Sequence, residues 1–397
     1  MENSIINNLS LIQPFNNRSY LSWQFAINHV LSRFSRPVLF ITVFLMFTEL
    51  TKQLHSHRHL TPEQVRDAVA GLTDEAFSAE EKAGFLAALA EKGETVEEIA
   101  GFANELRERS IQPCLDAATR AGAILDVCGT GGDHLRTFNI STTVALVASA
   151  AGVTVAKHGN RAVTSQSGSA DVLEALGIPV DLTPERAAES LQQHRFAFLF
   201  APKFHPAFKH IIPACTLCAE LGQRTIFNLL GPLLNPARPS AQLIGVPREE
   251  LCEPMAKVLK SLGILTGMVV SGRIPNKNAA GGISHLDEFS TLGDNLVAEF
   301  GPEKNVTVST VSPGAFPVQP AALDDLAGSD SRANAEITRR ILRGEDRGPR
   351  RDAVLLNCAA ALYIAGKCPS RSVGWSFAAE VIDSGRAFEK LLELSGK

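Results

Sequence analysis

Beyond residue 120, short β-branched or apolar runs alternate with helical stretches, and little sequence separates them. The runs are AILDV, VTVAKHG, FAFLFAP, AQLIGV and GMVVSG, with SADVLEALG and PERAAESLQQH between them. Strands joined through helices pair in parallel, and the helices then cover both faces of the sheet. That order assigns the larger part of the chain to the α/β class. It also predicts where a ligand sits, because such sheets bind beyond the C-terminal ends of their strands.

From 47 to about 112 the pattern is helical throughout. Thr61 followed by Pro62 is an N-cap with proline at the first helical position. SAEEKAGFLAALAEKG and TVEEIAGFANELRERS carry apolar residues at three- and four-residue spacing, and the first closes on a glycine. The expectation is a small helical domain over 46–118, which the glycine- and proline-punctuated stretch 205–235 rejoins. The α/β domain then spans 119–204 and 236–397, with a mostly parallel central sheet flanked by helices.

Residues 1–45 have a different composition. They hold seven of the 25 aromatic residues and six asparagines, and their one acid, Glu2, faces Arg18, Arg33 and Arg36. The apolar run PVLFITVFLMF (37–47) is about half the length that spans a bilayer. No A-x-A cleavage site follows it. The composition favours translation starting at Met46, with an organellar targeting segment as the other reading. Membrane association is not expected.

Bulk charge argues against a nucleic-acid partner, since the net charge is −4 and the two signs are mixed along the chain. Seven scattered cysteines, an odd number, indicate free thiols in a reducing, cytoplasmic setting. Cys215 and Cys218 form a single C-x-x-C with no second pair and no histidines at metal spacing, so zinc is not expected and a redox role is the weaker reading.

Three stretches carry chemistry. The first, DVCGTGGDHLRTFNISTT (126–143), orders a strand, a glycine loop and a helix start. Glycines let backbone N–H groups approach a ligand, and a helix N-terminus with about half a positive charge favours an anion such as phosphate. It is neither a dinucleotide fingerprint, which would need glycine where His134 stands, nor a P-loop. Asp133 among phosphates requires a cation or ligand hydroxyls opposite it. An ordinary capped turn is the bland alternative.

The second, KHGNRAVTSQSGSADVLEALG (157–177), combines Lys157, His158 and Arg161 with Asn160, Thr164, Ser165, Ser167 and Ser169 directly after a strand. Basic and hydroxyl donors in that place suit a diphosphate, whereas a solvated polar loop would need none of them. In the third, SHLDEFSTLG (284–293), Asp287 and Glu288 leave the strand GMVVSG through a loop containing Gly281 and Gly282. Adjacent carboxylates facing a diphosphate are a usual way of holding magnesium, although a DE pair alone is most often a surface charge.

Taken in order, GTGGD, NIST, KHGNRAVTS, GSADVLEALG, RTIFNLLGPLLNPA and the DE pair closely resemble the anthranilate phosphoribosyltransferases of tryptophan biosynthesis, over about residues 46–390. The resemblance implies a helical and an α/β domain with substrates at the hinge, and a homodimer. It implies transfer of phosphoribosyl from phosphoribosyl pyrophosphate (PRPP) to anthranilate, with Mg²⁺ aiding the release of pyrophosphate. It implies PRPP contacts at Gly129, Gly132, Asp133, Thr137, Asn139, Ile140, Ser141 and Thr142. Further PRPP contacts would come from Lys157, His158, Gly159, Asn160, Arg161, Ala162, Val163, Thr164, Ser165 and Ser169. Ser141, Asp287 and Glu288 would serve the metal, and Gly129 and Asn160 would touch anthranilate. No general acid or base is assigned, because an aromatic amine is largely unprotonated at neutral pH.

One position departs from the family pattern. In HPAFKHIIPACTLCAELGQRT, Cys215 stands where the family has an arginine that recognises anthranilate's carboxylate. Three readings follow: a weak version of the usual enzyme, another base such as Arg224 or Lys209 in that role, or a less acidic aromatic amine as acceptor. Beyond this family, a pyrimidine nucleoside phosphorylase or a nucleic-acid-binding relative of the fold would use similar loops without the metal acids.

Overall fold

The computed structural model describes residues 47–162, 167–276 and 282–396. The leader, Val163, Thr164, Ser165 and Gly281 therefore lie outside the described residues.

Four helices, over 47–55, Pro62–Thr73, Ala79–Lys92 and Val96–Glu108, build the N-terminal body. The last three each begin with a reciprocal capping box, Thr61 with Gln64, Ser78 with Glu81 and Thr95 with Glu98. Each box satisfies amides that the helix start leaves unpaired. Val65, Val69, Leu72, Phe85, Leu89, Ile99, Phe102 and Leu106 turn inward to form one apolar cluster. The later helix Ile212–Glu220 packs on Ala79–Lys92 and adds Ala214 and Cys218 to that cluster. Lys82, buried between them, donates from Nζ to the carbonyls of Asp74 at 2.6 Å and His210 at 2.9 Å.

The sheet has eight strands: β1 (Ile124–Gly129), β2 (Thr154–Gly159), β3 (Phe196–Phe200), β4 (Ala241–Gly245), β5 (Thr266–Pro275), β6 (Ile283–Leu286), β7 (Asn295–Phe300) and β8 (Thr307–Val311). Their order is β3-β2-β1-β4-β5-β7-β8, with β6 also on β5. The first five strands pair in parallel and the last three antiparallel. Alternate residues serve opposite faces, as a period of two requires. Leu125, Val127, Leu243, Met268 and Val270 pack under helices Ile140–Ala150 and Pro349–Ile364. Ile244 and Val269 face the N-terminal helical cluster instead.

Two consequences position the site. Strand order reverses between β1 and β4, which makes their carboxyl ends a topological switch point, where open α/β sheets bind ligands. The route into the acid pair differs from the expected loop. After β5 the chain returns as β6, paired antiparallel from Gly272↔Leu286 to Pro275↔Ile283, so Asp287 directly follows a strand.

Candidate active site

At the switch point two glycines stand side by side, since Gly129 and Gly245 are register partners at the ends of β1 and β4. The Asp287–Glu288 segment crosses directly above them. A Cβ on Gly245 would lie 1.5 Å from the carbonyl oxygen of Asp287, and one on Gly129 would lie 2.6 Å from its Oδ2. Only glycine permits so close a crossing. Gly131, at φ +75°, turns its N–H toward Asp287 Oδ2 at 2.5 Å. Asp133 accepts from Leu135 N at 3.1 Å through Oδ1 and from Asp287 N at 3.4 Å through Oδ2. Beyond the acids, buried Asn357 accepts from Phe289 N at 2.9 Å and donates to Phe289 O at 3.0 Å.

This packing confines negative charge. Burial foremost, then the carboxylates of Asp133 and Glu288, holds the Asp287 carboxyl well above the usual range. Burial likewise pushes Glu288 up to about 7, against the pull of Lys157. Carboxylates in that state are short of a cation. No group of three or more His, Cys, Asp or Glu side chains is preassembled for a metal among the described residues. Magnesium does not need one, because it takes one or two carboxylates and completes its shell with ligand and water oxygens. Asp287, Glu288 and the Ser141 hydroxyl form an oxygen set that could hold such an ion.

The helix Ile140–Ala150 aims its N-terminus at the acids. Ser141 N donates to Glu288 Oε1 at 3.2 Å, and Ser141 Oγ accepts from Lys157 Nζ at 3.3 Å. Lys157 is buried and also donates to Val127 O at 2.7 Å, so its ammonium is fixed beside the acids. Asn139 does not cap the helix with its side chain. It donates to Ser167 O at 3.3 Å and accepts from Asn334 Nδ2 at 2.9 Å. Ile140 and Thr142 are buried, leaving their backbone as what they offer a ligand. Thr137 pairs with Ala327 in an isolated bridge that closes the far side of the loop. Gly132 is exposed, its missing side chain facing Pro247.

Next to this polar region lies a cavity of about 580 Å³, lined at the strand ends by Gly129, Thr130, His158, Gly159 and Asn160. Its other wall is mostly apolar: Pro202, Pro206, Phe208, Ile212, Pro232 and Leu234, with His205 and Lys209. The His158 and His205 rings meet edge-on at 5.1 Å, and Phe208 continues the chain of rings at 5.4 Å. Burial foremost lowers His158 to about 3 and His205 to about 4, so both are neutral. Neither Nε2 has a hydrogen-bond partner among the described residues. A flat aromatic ring suits this space far better than a phosphate does.

The sequence-derived residues divide three ways. Gly129, Asp133, Asn139, Ser141, Lys157, Asp287 and Glu288 converge as described. His158 puts its ring into the apolar cavity. Arg161 turns away and forks onto Glu174 at 2.6 Å, with Asp171 at 3.1 Å, while Ala162 N donates to Asp171 Oδ2. Ser169 opens its helix close to Gly159. Cys215 does not line the cavity; it packs at the margin of the helical cluster. Burial pushes its thiol up to about 11, so it carries no charge toward a ligand at neutral pH. Gly245, His205 and Asn357 are not among the residues expected from sequence, and Lys209 enters there only as one of two substitute bases. A glycine closing an apolar strand run is the one available signal, for Gly245.

Known proteins match this arrangement at both levels. Residues 48–110 match the helical bundle domain of the glycosyl transferase family, and residues 121–388 match its a/b domain. Fold and site thus define a two-part glycosyl transferase. The anthranilate phosphoribosyltransferase of Lacticaseibacillus paracasei is 44% identical over 349 residues, 88% of this chain and 96% of that protein. The crystal structure of the Thermus thermophilus enzyme of the same name is 40% identical with a TM-score of 0.77, covering 87% of this chain and 98% of that one. The Saccharomyces cerevisiae enzyme in complex with PRPP and Mg is 27% identical with a TM-score of 0.75, covering 88% and 97%. This chain belongs to the anthranilate phosphoribosyltransferase family.

Proposed function

We propose that the protein transfers the phosphoribosyl group of PRPP to anthranilate, giving N-(5-phosphoribosyl)anthranilate and pyrophosphate. One observation carries the reading: the glycine turn, buried Lys157 and the acid pair meet at the switch point, beside an aromatic-sized cavity. Breaking the sugar C1–O bond leaves an oxocarbenium-like ribose and a highly charged leaving group. Fixed donors placed where that charge develops lower the barrier, and here these are the Lys157 ammonium, the loop amides and the helix start. Mg²⁺, when held by Asp287, Glu288 and Ser141, would neutralise part of the pyrophosphate charge. The acceptor amine is already a free base, so holding it in line with C1 supplies much of the remaining rate. Family membership supports a homodimer. A nucleoside phosphorylase would leave the buried acids without a purpose.

Loss of anthranilate fluorescence on adding Mg·PRPP tests the assignment. No loss, with PRPP binding intact, would mean a different acceptor. Cys215 lies one helical turn after Ile212, so an arginine there would reach over the cavity rim. A further charged partner strengthens the hold on the acceptor's carboxylate, so Cys215→Arg should lower KM for anthranilate. Equal kcat/KM in the two proteins would refute this view of the position.

A further inference from the structure

We propose that Lys209 neutralises the acceptor's carboxylate in this protein and so selects an aromatic acid over an aromatic amine without one. The inference rests on the acceptor class assigned above. The acceptor cavity is apolar over most of its wall, and a carboxylate taken into it needs a countercharge or stays in water. Only one cation lines the cavity among the described residues, Lys209, and no carboxylate does. His158 and His205 are neutral there, and the Cys215 thiol is both neutral and outside the lining.

Lys209 is also free to serve. Its side chain makes no hydrogen bond or ion pair among the described residues. Most other basic side chains near the site are committed. Lys157 is fixed on Val127 O and Ser141, Arg161 on Glu174 and Asp171, and Lys203 on Asp181 at 2.7 Å. Arg224, the other candidate from sequence, does not line the cavity and lies in the fields of Glu94 and Glu250. The turn bearing Lys209 is held on both sides. Phe208 stacks edge-on between His205 and Phe227, and the buried Lys82 grips the carbonyl of His210. Lys209 thus projects an uncommitted ammonium from a fixed base.

The test compares wild type with Lys209→Met, Lys209→Arg and Arg224→Met. It uses anthranilate fluorescence for rates, calorimetry for Mg·PRPP, and benzoate and aniline as inhibitors competing with anthranilate. Lys209→Met should raise KM for anthranilate and Ki for benzoate by about tenfold or more, with aniline and Mg·PRPP unaffected. Lys209→Arg should stay within about threefold of wild type, because it keeps the charge. The inference is overturned if Lys209→Met leaves anthranilate and benzoate unchanged, if benzoate and aniline weaken alike, or if Arg224→Met produces the loss instead. If wild type binds Mg·PRPP but consumes no anthranilate, the functional assignment itself fails and this inference falls with it.

Discussion

The two halves of the site are built by opposite means. The half proposed to face the diphosphate is made of backbone amides, glycines and a few charged groups drawn from contiguous motifs. Its geometry depends on chain segments approaching closer than side chains permit, as where Asp287 crosses Gly129 and Gly245. The half proposed for the acceptor is a cavity whose residues come from several separated segments, Gly129, His158, Phe208, Lys209, Ile212 and Pro232 among them. One half fixes charge in place; the other is mostly apolar and leaves its charges neutral or loose. Backbone geometry therefore governs the first, and side-chain identity governs the second.

The largest test of that contrast is Gly245→Ala. A single methyl at this position must displace the Asp287 carbonyl, and an ångström of misplacement in such a site can cost about a hundredfold. The displacement should weaken Mg·PRPP binding measured by calorimetry and lower kcat/KM by about a hundredfold. Affinity within a few-fold of wild type would show that the crossing does not govern the polar half.

Acid and base responses should also differ in sign between the halves. Glu288 has a raised folded value of about 7, so in metal-free protein its stabilising contribution is present at low pH and lost as pH rises from about 4.5 through 7. His158 and His205 have depressed folded values of about 3 and 4, so their contribution is present above about 6.5 and lost as pH falls toward those values. Thermal unfolding followed from pH 7 to 5 should tilt accordingly. Glu288→Gln should make acid more damaging and His205→Gln should make it less so, each by several degrees. Parallel profiles for the two variants would break the comparison.

The smallest effect is expected at Arg161. Its fork onto Glu174 is on the surface, where ion pairs contribute little, so Arg161→Ala should move the melting midpoint by no more than about one or two degrees. A much larger loss of PRPP affinity than of stability would show that the guanidinium leaves Glu174 for the phosphate.

The same division explains what could be read from the sequence. Alternation of strands and helices gave away the parallel sheet, and Asp133, Ser141, Lys157 and the DE pair gained their meaning from standing in order within one family-like set of motifs. Strand β6 was hidden because ISHL has no clear alternation and follows the stretch 277–281. The cavity positions of His205 and Lys209 were hidden for another reason. Each is an ordinary polar residue in a helical turn, and only the fold places them opposite the ends of β1 and β2. The same holds for Asn357, whose value depends on meeting Phe289 from 68 residues away.

The grip of Lys82 on His210 has a mechanical corollary. It fastens the apolar cavity wall to the helical body, while Lys157 and Ser141 belong to the sheet and its helices. The cavity is therefore walled from two sides, by the strand ends and by the turn that Lys82 holds. Any swing of one side against the other would change the width of the cavity itself.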